Sequence, residues 1–340
     1  MKKILLLLCF VVSIYSVSSQ NRIDLSKKYA ASITAKEIGN HLFTYASDEF
    51  EGRNTGEPGQ KMAVEYLKNF YVNHKIKSPI GGEDYYQEVP ANYMNKLSRR
   101  GKLKDSENVV AFIKGTEKPD EIIVISAHLD HVGMNKEGEV FNGADDDGSG
   151  TIAVLEIAEA FKKAVNDGNG PKRSILFLHV TGEEKGLLGS RYYTENPIFP
   201  IANTITNLNI DMIGRVDERH KGNPNYVYLI GSDKLSTSLH EVSEAMNTKY
   251  TSLELDYKYN DENDPNRFYY RSDHYNFAKL NVPIIFYFNG THADYHKETD
   301  TPDKINYEQL ETRTRLVFHT AWEVANREAT IVADKIEKAE

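Results

Sequence analysis

Residues 174–180 read Ser-Ile-Leu-Phe-Leu-His-Val, an apolar run without the alternation that a half-exposed strand requires. A strand of this kind is buried on both faces, and a mainly parallel sheet with helices above and below buries both. The neighbouring sequence meets that demand. NVVAFIKG (108–115) and EIIVISAH (121–128) read as strands joined by a turn holding Pro119 and Asp120. TIAVLEIAEAFKKAV (151–165) places Val154, Leu155, Ala158 and Phe161 at helical intervals. A helix near 186–193, strands near 204–210, 226–230 and 283–288, and a long helix from Tyr307 to Arg327 follow. Upstream, Thr34 and Glu37 form a capping box before Ile38, Leu42 and Phe43, and a second helix begins near Gly59 with Ala63, Leu67 and Phe70 inward. Residues 75–107 are polar and irregular and give no assignable element. Strand and helix in alternation predict an α/β fold, a mainly parallel central sheet with helices on both faces. With no repeat and no domain-sized linker, residues 20–340 read as one domain.

The first nineteen residues belong to a different problem. Lys2 and Lys3 precede an apolar stretch from Ile4 to Val12 and the small-residue pattern Val17-Ser18-Ser19. That is the three-part pattern of a secretory signal peptide, and it is too short for a membrane span. The expectation is an exported protein, periplasmic or extracellular, with no stable membrane insertion once residues 1–19 are removed. Cys9 is the single cysteine and lies in that leader. The mature chain therefore has no disulfide and no thiolate ligand, and a metal site must be built from His, Asp and Glu. The net charge of −9, more acidic still without Lys2 and Lys3, argues against nucleic acid or an anionic membrane as partner. No oligomeric state follows from the sequence.

In open α/β sheets, ligands bind beyond the carboxyl ends of the strands, and the metal-type residues of this chain fall there. EIIVISAH ends on His128, with Asp130 two residues on. GADDDGSG (143–150) precedes the helix at 151. SILFLHV runs into Glu183 and Glu184, TITNLNI into Asp211, and PIIFYFNGTHADYH brings His292 and His296 after the last strand. Taken singly, each reads as a turn, a cap or a surface histidine; five at strand ends do not. A calcium loop fails on spacing, because its carboxylates alternate and a Glu stands six residues after its Gly. Here the aspartates are consecutive and position 154 is Val154. A two-metal hydrolytic site fits better: imidazoles, several carboxylates, one carboxylate shared between ions and one left free as a base. His128, one aspartate of the trio, Glu183, Glu184, Asp211 and His296 supply that set.

HLD (128–130), DDDGSG (145–150), GEEKGLLGS (182–190), NIDMIGR (209–215) and YHKETDTPDKI (295–305) occur in the order and context of a known family. The chain resembles the co-catalytic di-zinc aminopeptidases of the aminopeptidase Y type, metallopeptidase family twenty-eight, over roughly residues 50–325. EGRNTGEPG (51–59) and the Ser-Asp-His at 272–274 resemble its exported bacterial branch. The resemblance implies two zinc ions per chain. His128 and Asp211 would hold the first, Glu184 and His296 the second, and the Asp146 carboxylate would bridge them, with a cis Asp146–Asp147 peptide following it. Asp130 would orient the His128 imidazole. Glu183 would serve as general base, and Tyr295 would donate to the oxyanion. Peptides with a free N-terminus would be the substrates. His131, His274 and His292 receive no metal role, Asp273 is a candidate for the pocket wall, and the sequon at Asn289 carries little weight. Two other readings stand beside this one. A glutaminyl cyclase would use one zinc and form pyroglutamate, and a non-catalytic binding ectodomain would keep the fold without the ligands; the intact DDDGSG and ligand set favour neither.

Overall fold

The computed structural model describes residues 23–98 and 102–335, so the leader lies outside the described residues. Three short N-terminal helices lead the fold: α1 (Leu25–Ala30), α2 (Ala35–Tyr45) and α3 (Pro58–Asn73). Thr34 caps α2, its hydroxyl accepting from the Glu37 amide at 3.2 Å. Strand β1 (Tyr86–Val89) and helix α4 (Ala91–Leu97) occupy the stretch that the sequence left blank. They are followed by β2 (Ser106–Ile113), β3 (Lys118–His128) and a small two-stranded ribbon, β4 (Gly133–Met134) with β5 (Val140–Phe141). Helix α5 (Gly150–Asn166), β6 (Arg173–Val180), α6 (Leu188–Glu195) and β7 (Thr204–Ile210) continue the alternation. The chain then runs through β8 (Tyr226–Ile230), α7 (Thr237–Met246), β9 (Glu254–Asp256), α8 (His274–Ala278), β10 (Ile284–Phe288) and α9 (Tyr307–Asn326).

The strands form one eight-stranded sheet in the order β1-β2-β6-β3-β7-β10-β8-β9. Its centre, β6-β3-β7-β10, is parallel throughout, while β1 and β2 pair antiparallel at one side and β8 runs antiparallel to β10 at the other. Successive side chains point to opposite faces, and the core divides accordingly. Ile123, Ile125, Ile175, Phe177, Leu208 and Tyr287 pack against the buried faces of α1, α2, α3, α5, α7 and α9. Val124, Leu176, Leu178 and Ile284 pack the other way, against Tyr193 of α6 and Phe277 of α8. Every residue of β6 is buried, as the unbroken apolar run required. Each such fully buried aliphatic chain contributes on the order of 2 kcal/mol.

Two local expectations shift. Pro119 and Asp120 lie inside the first residues of β3, where its pairing with β6 slips between Lys118 and Ile122, so the turn is made by residues 114–117 instead. Also, β2 and β3 follow one another in sequence but are not neighbours, because β6 lies between them. The parallel centre places the carboxyl ends of β3, β6, β7 and β10 along one edge, and the site assembles there.

Candidate metal centre

His128 is the last residue of β3, Asp211 follows β7, Glu183 and Glu184 follow β6, and His296 lies beyond β10. These ends converge on the aspartate loop before α5. His128 Nε2 is 3.2 Å from Asp146 Oδ1 and 3.6 Å from Asp211 Oδ1. His296 Nε2 is 3.0 Å from both Asp146 Oδ2 and Glu184 Oε1. Asp146 thus turns one oxygen to each of two imidazoles, between two separate donor groups. All five residues predicted as ligands are brought together, and Glu183 and Tyr295 line the same hollow as Asp146 and Asp211.

The three consecutive aspartates are unequal. Asp147 faces inward: its carboxylate accepts from the amides of His128 (3.1 Å), Gly150 (2.9 Å) and Met212 (3.1 Å), tying three loops together. Asp145 accepts from the Gly214 amide (2.6 Å) and the Asn289 side chain (3.1 Å), with His292 Nε2 at 3.1 Å. Asp146 is the one left facing the imidazoles. The Asp146–Asp147 peptide bond is cis, as the resemblance implied.

Several supporting residues had no signal strong enough to find them in the sequence. Asp300 is fully buried and accepts from the amides of Asp145 (3.0 Å) and Asp146 (3.2 Å), holding the loop from behind; within KETDTPDK it reads as a turn aspartate. Arg53, also fully buried, donates to the carbonyls of Tyr45, Asn142 and Gly143 at 3.2, 2.7 and 2.8 Å, which explains the EGRNTGEPG stretch as a strut beneath the loop. Thr55 donates to Asp130 Oδ2 at 2.7 Å and the Glu183 amide to Asp130 Oδ1 at 3.1 Å. With its carboxylate so engaged, Asp130 meets His128 Nδ1 through its main-chain carbonyl at 3.0 Å, its nearer carboxylate oxygen standing 3.9 Å away. Ser272 donates to Asp211 Oδ2 at 2.6 Å and accepts from Asn209, which bonds in turn to Ser126, so a polar chain buried in the sheet steadies Asp211. Asp273 is buried and lines neither hollow of the site. Asn289 is wholly buried, so the acceptor side chain of its sequon is not presented to solvent. His274 stacks on Phe286 in the core, burial holding it down to about 3.

The charges of the cluster are mutually stabilised. Burial pushes Asp146 up, but hydrogen bonding to His128 and His296 holds it well below the usual carboxylate range. His128 is pulled down by burial yet held well above its ordinary value by Asp211 and Asp146. Burial pushes Glu183 well above the usual carboxylate range, with Glu184 and Asp211 adding to the shift and His128 opposing it. Three carboxylates and two imidazoles converging in low dielectric need positive charge for stability. The donors are His nitrogens and carboxylate oxygens, the ligand chemistry of zinc. Beside the cluster a narrow inner hollow is floored by Met212, Phe268, Phe286 and Phe288, and a wider outer cleft opens past Leu97, Lys185 and Arg271. Residues 75–107 and 258–274 supply Leu97, Phe268, Tyr270 and Arg271 to these walls.

The fold is shared with solved structures of known aminopeptidases. The LapA aminopeptidase of Legionella pneumophila superposes with a TM-score of 0.67 at 20% identity, over 93% of this chain and 78% of that one. BSAP, a zinc aminopeptidase from Bacillus subtilis, superposes at 0.65 and 17% identity, over 90% and 99%. The sequence model of Peptidase family M28 matches residues 108–321, and the chain belongs to that family. Leupeptin-inactivating enzyme 1 of Streptomyces exfoliatus is 31% identical over 265 residues, 76% of this chain and 49% of its own length, so the chain spans about half of that relative. Among the described residues no helix is long and apolar enough to cross a membrane.

Proposed function

We propose that this protein is a zinc-dependent aminopeptidase that removes N-terminal residues from peptides, exported by residues 1–19 and acting through residues 20–340 as one catalytic domain. The observation that carries the reading is Asp146, whose two oxygens face different imidazoles, Oδ1 toward His128 and Oδ2 toward His296. His128, Asp146 and Asp211 would hold one zinc; Asp146, Glu184 and His296 would hold the other. Bound there, the pair supplies an acidified water and a Lewis acid for the scissile carbonyl. Glu183, on the wall of the hollow, takes the proton from the attacking water and returns it to the leaving amine. Tyr295, stacked on His296 at 4.0 Å between ring centres and lining the inner hollow, would donate its hydroxyl to the developing oxyanion. Asp130 positions both His128, through its carbonyl, and Glu183, through the 3.1 Å bond from the Glu183 amide. The aromatic floor of the inner hollow favours a hydrophobic N-terminal side chain.

A panel of aminoacyl fluorogenic substrates, run with chelator and with restored zinc, tests the activity. Leucyl, methionyl and phenylalanyl substrates should be cleaved, and activity should vanish on chelation and return with zinc. Glu183→Gln should lower kcat by 10²–10⁴-fold with both zinc ions retained. Hydrolysis undiminished in that variant removes Glu183 as the base. One zinc per chain with cyclisation of N-terminal glutamine would establish the cyclase reading instead.

A further inference from the structure

His131 is wholly buried beside the cluster, and neither of its ring nitrogens makes a hydrogen bond. An imidazole shut away from water with both nitrogens unsatisfied loses the solvation of two polar atoms. Its Nδ1 is 3.1 Å from Glu184 Oε1 and 3.9 Å from Asp146 Oδ2, and His131, Asp146 and Glu184 each offer one ligand atom within 4.8 Å of one another. We propose that His131 is a fourth protein ligand, through Nδ1, of the metal at Glu184, His296 and Asp146. The inference rests on the two-zinc reading above.

The separations support it. Two ligand atoms about 2.0–2.1 Å from one tetrahedral ion stand about 3.4 Å apart. Around this position the four donor atoms lie at 3.0 Å (His296 to Glu184 and to Asp146), 3.1 Å (His131 to Glu184) and 3.9 Å (His131 to Asp146). The ring is also held in place by its surroundings. The His131 amide donates to the Arg53 carbonyl at 3.1 Å. A Cβ at Gly143, where φ is +55°, would stand 2.5 Å from His131 Cδ2, so the residue at 143 leaves room for this ring and no more. The consequence is asymmetry. The ion at His131 and His296 has four protein donors, as closed sites do, whereas the ion at His128 and Asp211 has three and keeps an open position. The first should bind more tightly, and the second should be the more exchangeable.

The test uses the zinc-loaded full-length mature protein, its His131→Ala and His131→Asn variants, and zinc per chain after dialysis against graded chelator. Wild type should hold two ions of unequal affinity. His131→Ala should lose at least about 10–100-fold in affinity for the tighter one, with His131→Asn between the two. With cobalt in place of zinc, the visible spectrum of the tighter site should change in both variants. Wild-type affinity for both ions and an unaltered cobalt spectrum in both variants overturn the assignment of His131 and leave the two-zinc reading standing. Fewer than two zinc ions in wild type overturn both. Anomalous scattering from crystals of the zinc-loaded wild type needs no variant: Nδ1 should lie about 2.0–2.1 Å from one ion, and a separation beyond about 3 Å refutes the proposal.

Discussion

Asp146 and Asp147 are identical in type and adjacent in sequence, yet their environments assign them opposite work. Asp147 accepts three backbone amides and holds the loops after β3 and β7 against the start of α5. Asp146 faces two imidazoles. Substitution by asparagine should separate the two roles. Asp147→Asn turns an NH₂ toward backbone donors and should cost about 1–3 kcal/mol of stability, read as a lower midpoint in urea. Asp146→Asn should leave the stability of the chelated protein near wild type and abolish tight zinc binding, read by metal content. If both variants lost zinc and neither lost stability, the division of labour would be wrong.

At the scale of the element, α5 carries an unusual burden. It buries twelve residues, among them Glu156, whose two oxygens have no hydrogen-bond partner. Burial, with Glu37 and Glu159 nearby, pushes its carboxyl up to about 8. The folded-state value lies above the unfolded one, so the neutral acid is the form the fold tolerates. The contribution is whole below about pH 4.5 and declines as pH rises toward 8, on the order of 1–4 kcal/mol across that window. Thermal unfolding of the chelated protein at pH 5 and pH 8.5 should show the loss in wild type, and Glu156→Gln should flatten it. An equal pH slope in the variant would mean that another group is responsible. The periodicity that located α5 gave no warning of Glu156, because one carboxylate on a helix surface reads as solvated until the partner surface is known.

For the molecule as a whole, the carboxylates gathered at the strand ends would make stability depend on the cations proposed to bind there. A ligand bound only by the folded state adds about 4 kcal/mol when free at a thousand times its dissociation constant. Chelation should therefore lower Tm by several degrees, and added zinc should restore it. An unchanged Tm over both steps would show that the cluster tolerates its own charge without metal. Composition adds to that dependence, since residues 20–340 contain no cysteine and no disulfide within them can hold the site together.

Much of this architecture is written in local patterns. The apolar run at 174–180 demanded a strand covered on both sides. The 3.6-residue spacing of 151–165 and the alternation downstream then required helices on both faces of a sheet. The motif positions at strand ends followed from the same reading, and all five residues predicted as ligands converge in space. What the chain alone could not disclose depends on contacts between segments far apart in sequence. The antiparallel flanks of the sheet arise from pairing partners, not from the strands themselves. Phe268, Phe286 and Phe288 form one apolar floor only because a loop folds over β10. Asp300, Arg53 and Ser272 support the site through hydrogen bonds whose partners lie 61 to 155 residues away, apart from the Arg53 contact to Tyr45. His131 stands three residues after His128, and only its burial against Glu184, with no hydrogen bond at either nitrogen, distinguishes it from a surface histidine. Periodicity and residue chemistry thus determine which elements form and which groups can react. Burial and long-range packing decide how those groups divide the work, because both are properties of neighbours that the local sequence does not contain.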